Sequence, residues 1–133
     1  MSTRTNMSVK RLRALKQRVM TYLSQSNYSE IDAECVNLCK AINKIPGLFT
    51  VLSCCGHGTL EFRIIFRVID LNDLPILLSC IYENCKWTVD VHADFFKSLP
   101  MFTLWGPIGD LDAAQVLAKE LNDQFTRIKN GEE

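Results

Sequence analysis

Four side chains able to do chemistry fall within five positions of the 133-residue chain: Ser53, Cys54, Cys55 and His57, with Gly56 between them and Gly58 after. Two thiols, an imidazole and a hydroxyl so placed admit three kinds of chemistry. A thiolate beside an imidazole can be an activated nucleophile, but no carboxylate or amide close in sequence is placed to orient the ring. Cys54-x-x-His57 can supply two metal ligands, with His92 as a third. Adjacent Cys54 and Cys55, however, point to opposite faces of an extended strand and suit a tetrahedral ion poorly, so no metal ligand set is assigned. The third chemistry is ligand binding. Glycines flanking a histidine let the backbone bend sharply and approach a ligand closely, and the reading adopted is a binding turn made of Ser53, Cys54, Cys55, Gly56, His57 and Gly58.

The elements that must position this turn are legible from periodicity. Leu48–Cys54 reads as an apolar strand entering it. Leu60–Val68 leaves it with clean alternation: Leu60, Phe62, Ile64, Phe66 and Val68 on one side, Glu61, Arg63, Ile65 and Arg67 on the other, which predicts a half-buried antiparallel hairpin. Lys86–His92 alternates likewise, with Thr88, Asp90 and His92 opposite Trp87, Val89 and Val91. Met101–Trp105 is a fourth strand. Parity therefore gathers Arg63, Asp90 and His92 on the polar side of the sheet as candidate ligand contacts, Arg63 being the natural partner of an anion.

Helical spacing places apolar stripes before and between these strands. Val9, Leu12, Leu15, Val19 and Leu23 mark a helix from Ser8. Ile31, Cys35, Leu38, Ile42 and Ile45 mark a second, with Ser29 and Asp32 in a capping-box arrangement. Leu74, Leu77, Leu78, Ile81 and Cys85 follow behind Asn72 as cap, and Ala114, Leu117, Leu121, Phe125 and Ile128 behind Asp110. Gly106-Pro107-Ile108-Gly109 opens onto this last helix, where free N–H groups can receive an anion. The order predicts an α+β fold: a four-stranded, mostly antiparallel sheet from a duplicated helix-strand-strand module, flanked by about four helices. Equivalence of the modules would make Ser53–Gly58 and His92–Pro100 neighbouring loops. The chain reads as one domain, with residues 1–7 disordered, a basic amphipathic helix over 8–25 and a core over 29–130.

Composition is ordinary for a globular protein, 47% hydrophobic and 23% charged, with net charge zero. The first 29 residues carry six basic residues and no acid. Lys10, Arg11, Arg13, Lys16 and Arg18 form a basic arm able to touch RNA phosphates. The longest apolar run, Leu74–Ile81, falls well short of the ~20 residues that cross a bilayer, so no membrane contact is expected. Six cysteines without an export signal point to reduced thiols and a cytoplasmic location; Cys35, Cys39, Cys80 and Cys85 read as core fillers.

Two stretches carry a family resemblance. Ile31–Gly58, with "LCKAIN" and "TVLSCCGH", resembles the wybutosine-synthesising methyltransferases of tRNA (step three, the tRNA-yW family), whose signature is T-x-S-C-S-G-R. Met101–Leu121, "MFTLWGPI" followed by "LDAAQVLAKELN", is similar to a later strand and helix of that family. Ser53, Cys54 and Gly56 match the signature; Cys55 stands in place of its serine and His57 in place of its arginine. The S-C-x-G-H-G version also resembles short uncharacterised proteins of phages and bacteria. The resemblance implies binding of a small anionic ligand or nucleotide on a methyltransferase-like scaffold, as in a phage or bacterial accessory protein. One alternative it implies is a tRNA methyltransferase using S-adenosylmethionine. Another, independent of it, is an interaction module whose N-terminal helix docks a partner or forms a homodimer.

Overall fold

In the computed structural model the described residues are 10–11, 13–18, 32–84, 86–92, 101–129 and 131. Residues 10–11 and 13–18 are helical (α1). The chain continues through α2 (Ala33–Lys44), β1 (Leu48–Cys54), β2 (Arg63–Val68), α3 (Leu74–Asn84), β3 (Thr88–His92), β4 (Met101–Trp105) and α4 (Ala113–Lys129). The four strands form one antiparallel sheet in the order β1-β2-β4-β3. The α+β class and the single four-stranded sheet match the expectation from periodicity. Residues 1–7, expected to be disordered, Ser29, expected to cap α2, and the loop Ala93–Pro100 lie outside the described residues.

The stripe of α2 repeats at helical spacing and is fully buried: Cys35, Leu38, Cys39 and Ile42. It packs with Ile64, Phe66, Phe102 and Leu104 of the sheet, Leu77 and Ile81 of α3, and Ala114, Leu117 and Leu121 of α4 in one core. Helix α4 contacts both α2 and α3, so three helices cover one face. Leu60 and Ile128, assigned by pattern to core stripes, are instead exposed; the strand begins only at Arg63, and Ile128 lies in the last turn of α4. Asn72, expected to cap α3, lies instead inside a short 3-10 turn before it, Leu71–Asp73, which Asp70 caps by accepting the Asn72 N–H at 2.9 Å.

Helix α1 is held at the Leu48 end of β1. Leu15 packs on buried Phe49 and Ile69. Lys16 Nζ donates to the carbonyls of Ile45 (2.7 Å), Pro46 (3.2 Å) and Leu48 (2.7 Å), tying α1 to the connection between α2 and β1. Burial pushes this ammonium down to about 8, with Asp73 pulling the other way. Of the five residues assigned to a basic RNA-facing arm, Lys16 thus turns inward. Lys10, Arg11, Arg13 and Arg18 are exposed.

Two features of the sheet decide where the chemistry sits. First, β1 carries a bulge: Thr50 pairs with Phe66, but Leu52 already pairs with Ile65. One extra residue, Val51, reverses the parity of everything after it. Ser53 comes opposite buried Ile64 and Cys54 opposite exposed Arg63. Buried Asn43 fastens the bulge, accepting the Thr50 N–H (2.8 Å) and donating to its hydroxyl (3.0 Å). Second, β2 and β4 lie antiparallel at the centre. The two helix-strand-strand units are therefore related by a two-fold rotation through the sheet, which puts the last residues of β1 and of β3 at opposite ends of it. His92 closes β3 against Met101, in line with Arg67, whereas Cys54 lies in line with Arg63, Trp105 and Thr88. Closeness of Cys54 and His92 was expected, but the backbone of His92 lies at the other end of the sheet from the row that holds Cys54; the loop that follows it lies outside the described residues.

Candidate functional site

The turn after β1 is wound left-handed. Gly56, His57 and Gly58 have φ of 76°, 53° and 83°. Histidine in this region is uncommon and costs conformational energy, so the neighbours must hold it there. They do so through sulfur: the Gly56 N–H donates to Cys54 Sγ at 3.4 Å, and the His57 N–H to Cys55 Sγ at 3.3 Å. Cys55 is buried against the core, while His57 is exposed.

The carboxylate that local sequence did not supply comes from Asp32. It occupies the N-cap position of α2, yet its side chain makes no capping bond to that helix. Its Oδ2 instead accepts the Cys55 N–H at 2.9 Å, tying the helix start to the turn. The same oxygen stands 3.9 Å from His57 Nε2. That ring nitrogen is also 3.9 Å from Cys54 Sγ, and Nδ1 is 3.6 Å from Cys55 Sγ. Asp32 Oδ2, Cys54 Sγ and His57 Nε2 all lie within 4.8 Å of one another.

The Cys55 N–H holds the Asp32 carboxyl below its ordinary pKa, with burial opposing and the Cys55 thiol and His57 adding to the lowering. Burial, chiefly, pushes the Cys55 thiol up, so it stays protonated. Burial likewise raises Cys35, and Cys39 with it, and lifts Cys80 to about 11. These three are buried thiols, as expected of core-filling cysteines. Cys85 lies outside the described residues.

The Asp32 shift has a consequence in acid. Its folded pKa is below the unfolded value of about 3.9, so this contribution is complete above about pH 4 and fades as pH falls through the lowered value. Between about pH 5 and 2, the urea midpoint of the native chain should fall more steeply than that of Asp32→Asn. Parallel acid limbs in the two proteins would show that the Asp32–Cys55 bond contributes nothing.

Beside the turn, one row across the sheet reads Cys54, Arg63, Trp105, Thr88. Arg63 is exposed and Trp105 half-buried. The indole N–H of Trp105 donates to Asp90 Oδ2 at 2.9 Å, fixing the ring on the face that α2, α3 and α4 leave uncovered. The turn at Gly106–Asp110 lies close by, a Cβ on Gly109 meeting the Gly58 carbonyl at 3.8 Å. Asp110 pairs with Lys86 at 3.3 Å.

Ser53, Cys54, Cys55, Gly56, His57, Gly58 and Arg63 are thus brought together at one end of the sheet. Asp90 reaches them through Trp105. Asp32 and Trp105 were missed by sequence reasoning. Asp32 was absorbed into a helix-cap pattern, and the place of Trp105 depends on a strand order that no local pattern encodes.

No protein-family model matches the chain, and no curated protein matches it. Among solved structures it is similar to the PH1069 protein from Pyrococcus horikoshii, at TM-score 0.47 and 11% identity over 98% of this chain and 96% of that one. Among the described residues no helix is long and apolar enough to cross a membrane.

Proposed function

We propose that the chain binds a small anionic ligand of the nucleotide class where the Ser53–Gly58 turn meets Arg63 and Trp105. The observation that carries this reading is the row Cys54–Arg63–Trp105, which sets an exposed guanidinium between the strained turn and an indole pinned by Asp90. A guanidinium matches phosphate or carboxylate oxygens in a two-pronged fashion. A fixed aromatic face accepts a base by stacking, worth about 1–3 kcal/mol. His57, exposed on the turn, adds a polar contact to the ligand. Strained backbone gathered at a polar site is itself the arrangement expected where a ligand is held.

Calorimetric titration tests the proposal, with a nucleoside monophosphate, inorganic phosphate and S-adenosylmethionine as separate probes. The last is chosen because Ser53, Cys54 and Gly56 match the wybutosine-methyltransferase signature. The expected result is saturable binding of at least one organic probe, weakened about ten-fold or more by Arg63→Ala and by Trp105→Ala, since each lost contact is worth about 1.4 kcal/mol or more. Binding of phosphate alone with equal affinity would point to a simple anion site. No binding at millimolar concentration, or binding indifferent to Arg63→Ala, would overturn the reading.

A further inference from the structure

One nitrogen, His57 Nε2, faces two acceptors at once. Asp32 Oδ2 and Cys54 Sγ each stand 3.9 Å from it, beyond hydrogen-bond length to oxygen. A single N–H could be aimed at only one of them. Three atoms with lone pairs thus converge on a shared space.

We propose that Asp32 Oδ2, Cys54 Sγ and His57 Nε2 hold a divalent transition-metal ion of the zinc class, with a fourth position open to solvent. Bond lengths near 2.0–2.3 Å in a tetrahedron set neighbouring ligand atoms about 3.3–3.6 Å apart. The two separations from His57 Nε2, 3.9 Å each, exceed this by a few tenths of an ångström, and the third, within 4.8 Å, is closed by rotation of the Cys54 and His57 side chains through about an ångström. One thiolate, one imidazole and one carboxylate form a mixed set that suits zinc or cobalt and is wrong for magnesium or calcium, which demand oxygen. Two anionic ligands and a neutral ring balance a divalent charge.

The surroundings fit this role. Nδ1 of His57 lies 3.6 Å from Cys55 Sγ. A proton carried on Nδ1 and aimed at that sulfur leaves the Nε2 lone pair facing Asp32 and Cys54, the tautomer a ligand needs. The Gly56 N–H donates to Cys54 Sγ at 3.4 Å and holds that sulfur in place. The Cys55 N–H at Asp32 Oδ2 fixes the carboxylate. The left-handed φ of His57 belongs to the backbone that folds its ring back over Cys54, only three residues away. The adjacency of the two cysteines, which counted against a metal, is resolved by division of labour. Cys54 binds and Cys55 orients. The His57 side chain is 71% exposed, so the vacant coordination direction opens to water or substrate, as in catalytic rather than structural zinc sites.

This inference does not rest on nucleotide binding, because neither Arg63 nor Trp105 belongs to the ligand set, and its test uses metal alone. Cobalt(II) is titrated into the reduced, metal-stripped full chain, followed by zinc(II) in competition with a chromogenic chelator. The expected result is one ion per chain, a thiolate-to-cobalt charge-transfer band in the near ultraviolet, and displacement of cobalt by zinc. Cys54→Ser removes the band. Asp32→Asn and His57→Gln keep the band but weaken binding about ten-fold or more, in the range seen when metal-site residues are altered. Cys80→Ala, a thiol between α3 and α4, changes none of these. Should a ligand variant fail to fold, as circular dichroism would reveal, the native stoichiometry and band still decide. Binding below about a tenth of an equivalent, a cobalt spectrum without thiolate character, or a band that persists in Cys54→Ser would overturn the proposal.

Discussion

Replacing Gly56 with alanine is expected to destabilise the chain by about 2–5 kcal/mol, as the sum of two separate effects. The first is conformational. Gly56 sits at φ 76°, where an L-residue pays about 1–2 kcal/mol for its Cβ. The second is steric. A Cβ at this position would stand 2.8 Å from the Glu61 carbonyl oxygen and 3.0 Å from its carbon. Those are backbone atoms at the exit of the turn and cannot rotate away, so overpacking adds about 1–3 kcal/mol. Gly58 provides the internal comparison: its φ is 83°, yet nothing lies within 4 Å of its Cβ position. Gly58→Ala should therefore show only the conformational part, about 1–2 kcal/mol. Urea midpoints at constant m-value measure both. Equal losses in the two variants would mean that the close approach to Glu61 plays no part.

The second large effect is expected at Trp87, where Trp87→Ala should remove about 3–5 kcal/mol, a large share of the 5–15 kcal/mol typical of a domain. Trp87 precedes β3, is 2% exposed and meets Phe62 with ring centroids 5.4 Å apart. Its ring fills the space above Gly106, where an added Cβ would stand 2.5 Å from Cζ3. Gly106 in turn donates to the Phe62 carbonyl at 3.0 Å. Trp87, Phe62 and Gly106 thus form one packed layer beneath the turns that carry the site. Gly106, which looked from sequence like part of an anion-binding loop, has a packing reason instead. The indole N–H of Trp87 is buried with no partner among the described residues, which takes something from its contribution. Trp87→Phe keeps most of the ring and discards that donor, so it should cost less than about 1.5 kcal/mol. Equilibrium urea unfolding separates the cases. A Phe variant as damaged as the Ala variant would show that the indole N–H is satisfied and needed.

Much of the architecture was legible because burial imposes period. Ile64 and Phe66 alternate against Arg63 and Arg67, and the sheet honours that alternation. Cys35, Leu38, Cys39 and Ile42 recur at helical spacing and are buried. Register was the weak point. The alternation in β1 is interrupted by the bulge at Val51, so parity counted from Leu48 assigns Ser53 and Cys54 to the wrong sides. Nothing in L-F-T-V-L-S-C announces the extra residue. Its anchor is Asn43, seven positions upstream of Thr50 on a helix. The place of His92 was hidden for a different reason. Duplicated modules can be related by translation or by a two-fold axis, and local pattern is the same in both. Only the antiparallel pairing of β2 with β4 selects the axis, and it sends His92 to the far end.

What the sequence by itself determined is the α+β class, the three long stripes of the core and the density of chemistry at Ser53–Gly58. These follow from nearest-neighbour periodicity and from glycine flanking a histidine, which are local properties. What only the tertiary structure decided is the acid. Asp32, 25 residues before His57, reads locally as a helix cap. In the fold its carboxylate is drawn to the free N–H of Cys55, because the start of α2 is packed against the end of β1. That single long-range hydrogen bond sets a carboxylate beside Cys54 and His57.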